Sequence, residues 1–171
     1  MGDLVPLYRD LVDNGANFRG LSLLKYSRRI YKLLIRTQAQ SLLDYGSGKG
    51  EAYGEKYAVH RTWGVPRPRL YDPSFDGIGI RPTETFDGVI CSDVLEHIPE
   101  YELKDAITYM MKHSRMFIWA SVCCRPAKKC FADGVTNLHV TIRPILWWRE
   151  LFEYYKDVCG YEGEVILLET L

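Results

Sequence analysis

The sequence predicts an α/β domain built on a doubly wound, mostly parallel sheet. Two observations carry this. Short strand-like runs alternate with amphipathic helical stretches, the pattern of βαβ units. Three of those runs also end in a glycine loop, an Asp or a Ser-Asp pair, and sheets of this kind bind ligands at the carboxyl ends of their strands.

The first 40 residues read as helical. Leu4, Leu7, Tyr8, Leu11 and Val12 recur at helix spacing, with Asn14-Gly15 as a stop. Phe18-Arg19-Gly20-Leu21-Ser22 reads as a tight connection. A second helix is expected over 23–36, with Leu23, Tyr26, Ile30, Leu33 and Leu34 facing inward. Ser41-Leu42-Leu43-Asp44-Tyr45 is a short strand that runs into a glycine loop, and a helix is expected over 51–58. Leu70-Tyr71-Asp72 is a second strand, stopped by Pro73. Phe86-Asp87-Gly88-Val89-Ile90-Cys91-Ser92 is a third. Residues 99–113 place Leu103, Ala106, Ile107, Met110 and Met111 on one helix face, with Pro99 at the start. The continuous apolar run 116–124 suits a strand covered on both faces. A helix over 144–159, with Ile145, Trp148, Leu151, Phe152 and Tyr155 inward, precedes a last strand over 164–170. Right-handed crossovers then give a doubly wound sheet of five or six strands.

The chain has 171 residues, 47% of them apolar. That suits one domain, which at this size buries about 70% of the surface its unfolded chain exposes. Lys+Arg and Asp+Glu are 22 each. A duplex nucleic-acid binder needs a basic excess to displace counterions, so nucleic acid is not the expected partner. Lys25, Arg28, Arg29, Lys32 and Arg36, and separately Arg61, Arg67 and Arg69, read as solvated faces. The cysteine count is odd, at five, and there is no secretory signal, which fits a reducing cytoplasm. Cys91, Cys123 and Cys124 read as core filler. No Cys-x-x-Cys pair exists, the vicinal pair has the wrong spacing for a zinc knuckle, and no metal is implied. No apolar run approaches the ~20 residues that span a bilayer, so no membrane partner is expected.

The chemistry concentrates at Asp44-Tyr45-Gly46-Ser47-Gly48-Lys49-Gly50. Glycines after a strand let backbone approach a ligand closely. A dinucleotide fingerprint needs its third glycine one residue later, where this chain has Glu51, whose carboxylate repels a pyrophosphate at a helix N-terminus. Asp44 offers an acceptor for an ammonium group. Asp72, 22 residues after Gly50, can accept from both hydroxyls of a ribose, although Asp before Pro is also a common turn former. His97 offers a general base for an oxygen or nitrogen nucleophile, or a buttress for the following helix. His139 precedes Thr141 and Arg143 in a loop and can contribute to a polar acceptor pocket, with Arg143 able to pair a carboxylate or phosphate.

With these residues in view, Ser41 to Gly50 resembles the first motif of class I S-adenosylmethionine (SAM)-dependent methyltransferases, and Leu70-Tyr71-Asp72 resembles their ribose-binding strand. Phe86 to Ile98, ending Ser92-Asp93-Val94-Leu95-Glu96-His97-Ile98, resembles the fourth-strand motif of the type 11 group. The resemblance implies a Rossmann-like core over 41–171 under an N-terminal helical lid, 1–40, in which Phe18, Tyr26 and Arg29 are candidates to face the pocket. It implies SAM as cofactor and S-adenosylhomocysteine (SAH) as product. Asp44, Gly46, Ser47, Gly48, Gly50, Asp72, Pro73, Ser92, Asp93 and Val94 would bind the cofactor, and His97 and His139 would stand at the methyl-transfer end. The chain departs from the family plan between Pro73 and Thr85, where 13 residues replace a helix, a strand and a second helix. Phe75, Ile78 or Ile80 would then have to cover the adenine. The expected activity is methyl transfer to a small-molecule or side-chain acceptor. The rival reading is a SAM-binding accessory subunit without turnover, and a nicotinamide enzyme is disfavoured by Glu51.

Overall fold

The three central strands carry apolar residues on both faces, and the sheet follows from burying both. The computed structural model describes residues 4–16 and 18–170; positions 1–3, 17 and 171, counted above in the lid and core, lie outside it. Strands β1 (Leu42–Tyr45), β2 (Arg69–Tyr71), β3 (Phe86–Ser92), β4 (Ser114–Cys123) and β5 (Glu164–Thr170) form one five-stranded sheet in the order β2-β1-β3-β4-β5. All four pairings are parallel, so this is an α/β, Rossmann-like architecture.

Leu43, Val89, Cys91, Ile118, Ala120 and Leu167 face one side, with α4 (Leu103–His113) and α5 (Ile145–Cys159) packed on them through Ala106, Ile107, Met110, Trp148 and Phe152. Leu42, Ile90, Phe117 and Trp119 face the other. There α2 (Ser27–Thr37), the 3-10 turn Ser22–Tyr26 before it, and α3 (Val59–Trp63) supply Leu23, Ile30, Leu33, Leu34, Val59 and Trp63. Period 2 in the strands and period 3.6 in the helices therefore meet in two cores, one on each face of the sheet. Helix ends fall where the backbone allows: α5 begins after Pro144 and stops at Gly160, which takes the left-handed conformation.

The expected helix over 51–58 does not form. Glu51–Tyr53 is a single 3-10 turn, Gly54 is extended, and the short α3 begins only after Ala58. The Glu51 N–H is given to the Arg19 carbonyl at 3.0 Å, and Tyr53 turns its hydroxyl back to Asp44 at 2.9 Å. Of the cysteines read as core filler, Cys91 is fully buried, while Cys123 and Cys124 are half-buried.

The chain passes from β1 to the edge strand β2, then returns over β1 to β3. Residues 73–85 make this return without helix or strand. Arg81 pins it. Its guanidinium lies over the Tyr109 ring at 4.9 Å, donates to the Tyr71 and Tyr45 hydroxyls at 3.3 Å each, and pairs with Asp105 at 2.7 Å. The reversal of strand order between β1 and β3 leaves a crevice above their carboxyl ends. Helix α1 (Val5–Asp13) lies over that crevice, with no residue of its own fully buried. Among the described residues no helix is long and apolar enough to cross a membrane.

Candidate functional site

A cavity of about 500 Å³ opens at this switch point. Its floor is the carboxyl ends of three strands: Asp44 and Gly46 to Gly48 after β1, Asp72 to Phe75 after β2, and Ser92 to Val94 after β3. Its roof is Leu4, just before α1, and Val5 and Tyr8 of α1, with the stretch from Phe18 to Leu23. Its far wall is His97, Ile98, Pro99, Glu102 and His139. All twelve residues singled out above except Gly50 line it. Gly50 lies behind the loop, where an added Cβ would meet Leu70 at 2.4 Å.

The backbone of the loop is fully committed. The N–H groups of Gly46 and Ser47 donate to the Tyr71 carbonyl at 2.7 and 3.1 Å, and that of Gly50 to Ser47 at 3.0 Å. Gly48 N–H donates to the Asp72 carboxylate at 2.9 Å. Lys49 and Glu51 donate to the carbonyls of Phe18 and Arg19 at 2.9 and 3.0 Å. No N–H from 46 to 51 is left for a phosphate, which removes the basis of a dinucleotide site. The lid segment and the loop are in backbone contact: a Cβ on Gly20 would lie 1.9 Å from the Ser47 oxygen, and one on Gly48 would lie 2.4 Å from the Phe18 oxygen.

Two carboxyls face the cavity from the floor. Burial pushes Asp44 up to about 7; the Tyr53 hydrogen bond opposes this and the nearby Asp72 charge adds to it. Asp72 takes the Gly48 N–H on one oxygen and the Ser74 N–H, also at 2.9 Å, on the other. Burial still raises it above the usual carboxylate range. Its contact with Ser74 is the turn geometry expected of Asp-Pro, and each carboxylate oxygen keeps a second lone pair. The Pro73 carbonyl accepts from Arg9 of α1 at 2.9 Å, tying the roof to β2.

Asp93 lies in the left-handed region, with φ 55°. Its carboxylate is taken up within the protein, by Ser121 at 2.7 Å, Thr170 at 2.6 Å and Lys25 at 3.0 Å. Burial alone would raise it, and these bonds hold it below its ordinary range instead. It therefore ties the roof to β4 and β5. Ser92 shares a hydroxyl contact with Ser121 at 3.2 Å. Val94 packs against Gly46, where a Cβ would lie 2.4 Å from its methyl group.

At the far wall, His97 Nδ1 lies 3.0 Å from the Leu138 carbonyl. A carbonyl only accepts, so Nδ1 carries the proton and Nε2 the lone pair. The Tyr8 hydroxyl donates to the same carbonyl at 2.7 Å. Burial, with the neighbouring His139, brings His97 down to about 4. The two imidazoles meet edge-on with centroids 4.8 Å apart. Glu96 is fully buried and accepts the Cys123 N–H at 2.9 Å; burial pushes it up to about 8.

Other expected contacts fall elsewhere. Arg143 does not line the cavity; it pairs with Glu100 at 2.7 Å, and Thr141 is buried, donating to the Ile98 carbonyl at 2.7 Å. Tyr26 packs against Trp119, the rings tilted and their centroids 5.0 Å apart, and Arg29 is exposed and off the cavity. Phe18 and Phe75 do line it; Ile78 does not, and neither does Ile80, which is 84% exposed. Tyr8, Arg19 and Glu102 are wall residues without a sequence signal, since nothing in a helical stripe or a loop says which residues close over a distant crevice.

Comparison with family models, with curated proteins and with solved structures gives no match. What is defined is the fold, an α/β Rossmann-like domain, with a cavity at its switch point.

Proposed function

We propose that this chain is a SAM-dependent methyltransferase for a small acceptor. The observation that carries the reading is the chemistry of the cavity floor. Two carboxyls, Asp44 and Asp72, face a space whose glycine loop has no N–H left for a phosphate. Such a floor suits a cationic nucleoside without phosphate, and SAM is one. In this reading Asp44 receives the ammonium group and Asp72 the ribose hydroxyls, while Phe75 offers an apolar face to the adenine. The volume lies within the roughly 300–1,000 Å³ usual for small-molecule sites. The sulfonium methyl then points to the far wall, where His97 and His139 are the candidate proton acceptors. Methyl transfer is an in-line displacement, so the protein contributes mainly alignment, with a base only where the nucleophile carries a proton.

The test is to incubate the protein with SAM and a panel of small hydroxyl, amine and thiol acceptors and to follow SAH. SAH formation that Asp72→Ala abolishes supports the reading. SAM binding without SAH from any acceptor points instead to an accessory, cofactor-sensing role. Absence of SAM binding overturns both.

A further inference from the structure

We propose that Glu96, Cys123 and His139 form a binding site for a divalent transition metal, fitted best to Zn²⁺. The three belong to separate segments: the turn after β3, the end of β4, and the loop that follows it. One ligand atom from each lies within 4.8 Å of the other two.

Glu96 supplies the strongest argument. Its side chain is fully buried, and one carboxylate oxygen accepts the Cys123 N–H. The other oxygen is buried without any hydrogen-bond partner. Buried carboxylate oxygens are ordinarily paired or bound to a metal, and a thiol and an imidazole are the groups beside this one. Cys123 is a free, half-buried cysteine. His139 is held for ligation: its Nδ1 lies 2.6 Å from the Arg125 carbonyl, so Nδ1 bears the proton and Nε2 the lone pair. A ring N–H given to a backbone carbonyl is the usual outer support of a metal-bound histidine. The loop itself is clamped, because Asn137 both donates to and accepts from the Ala127 backbone at 2.9 Å and also accepts the His139 N–H at 2.9 Å.

The donor set selects the ion. A thiolate, a carboxylate and a neutral imidazole suit Zn²⁺ and not Mg²⁺ or Ca²⁺, which take oxygen ligands. The two anionic ligands balance the divalent charge, and binding releases to solvent the protons that Cys123 and Glu96 carry in the free protein. Ligands at roughly 2.0–2.3 Å from one ion require the three atoms to draw closer than 4.8 Å, through rotation of the half-buried Cys123 side chain and small shifts of Glu96 and His139. Three protein ligands leave one tetrahedral position for water or for a heteroatom of an acceptor, because His139 also lines the cavity. With His139 bound to metal, His97 remains as the proton acceptor.

The test uses the full chain, stripped with chelator and titrated with Co²⁺ in the absence of SAM. The expected result is one equivalent bound, a thiolate-to-cobalt charge-transfer band and the visible bands of a four-coordinate ion, all displaced by Zn²⁺. Cys123→Ser should abolish the charge-transfer band. His139→Ala and Glu96→Gln should each weaken Zn²⁺ binding at least about tenfold, the loss that even outer-shell changes cause. Cys124→Ser should change nothing. Circular dichroism checks each fold, and Cys123→Ser, at a half-buried position, decides the matter if Glu96→Gln does not fold. No thiolate band, a band that survives Cys123→Ser, or one lost in Cys124→Ser overturns the proposal. None of these outcomes bears on SAM binding, which is measured separately.

Discussion

Asp44 makes cofactor affinity depend on pH in a direction the structure fixes. Burial beside Asp72 raises its carboxyl to about 7, so in the empty cavity it is largely protonated under mildly acidic conditions. The ammonium group of SAM binds the ionised form. Below the Asp44 pKa, binding must therefore expel a proton, and affinity falls as pH falls. With a pKa of about 7, the ionised fraction drops from about 0.76 near pH 7.5 to about 0.03 near pH 5.5, a loss of roughly 25-fold or about 2 kcal/mol. Calorimetry in buffers of different ionisation enthalpy reads the same event as proton release, close to one proton per SAM near pH 6. Asp44→Asn cannot ionise, so its affinity should be low and its slope across this range much shallower. A wild-type affinity independent of pH, or an unchanged slope in Asp44→Asn, would refute the assignment of the ammonium to Asp44.

Three further outcomes are expected. Gly48→Ala places a Cβ 2.4 Å from the Phe18 carbonyl oxygen and should cost about 1–3 kcal/mol in urea denaturation while weakening SAM binding. Gly134→Ala, also at positive φ but with nothing within 4 Å, should cost about 1 kcal/mol and leave binding intact. Arg81→Ala removes the donor to Tyr45 and Tyr71 and the ion pair to Asp105, which should destabilise the fold by about 1–3 kcal/mol in the same assay. His97→Gln should slow transfer to a protonated oxygen or nitrogen acceptor by about 10²–10⁴-fold with SAM affinity unchanged, read by SAH formation and calorimetry.

The strands were legible because each carries its own signal. β3 and β5 begin and end where the apolar runs and their polar ends place them, and α5 lies between Pro144 and Gly160 as its stripe requires. Three segments bearing Asp44, Asp72 and Asp93 converge because strand order alone brings their carboxyl ends together. The helix expected over 51–58 failed for a reason local pattern does not contain. A 3-10 turn instead swings Tyr53 back onto Asp44, and Gly54 then runs extended. Arg143 was misplaced likewise, because the sequence does not show that Glu100 lies beside it. Tyr8 reaches Leu138 across 130 residues, and the Glu96, Cys123 and His139 cluster is assembled from three segments with no spacing motif. Long-range closure of this kind depends on tertiary packing, and neither periodicity nor a local motif encodes it.

Whether Asp72 accepts the ribose hydroxyls is read by calorimetric titration with SAM and SAH, with wild type beside Asp72→Ala. Losing a charge-assisted pair of hydrogen bonds should cost about 1.5–3 kcal/mol, or roughly ten- to a hundredfold in affinity. SAM binding weakened to that extent in a folded variant is the expected result. No binding by the wild type, or equal binding by both proteins, would mean that Asp72 holds no ribose.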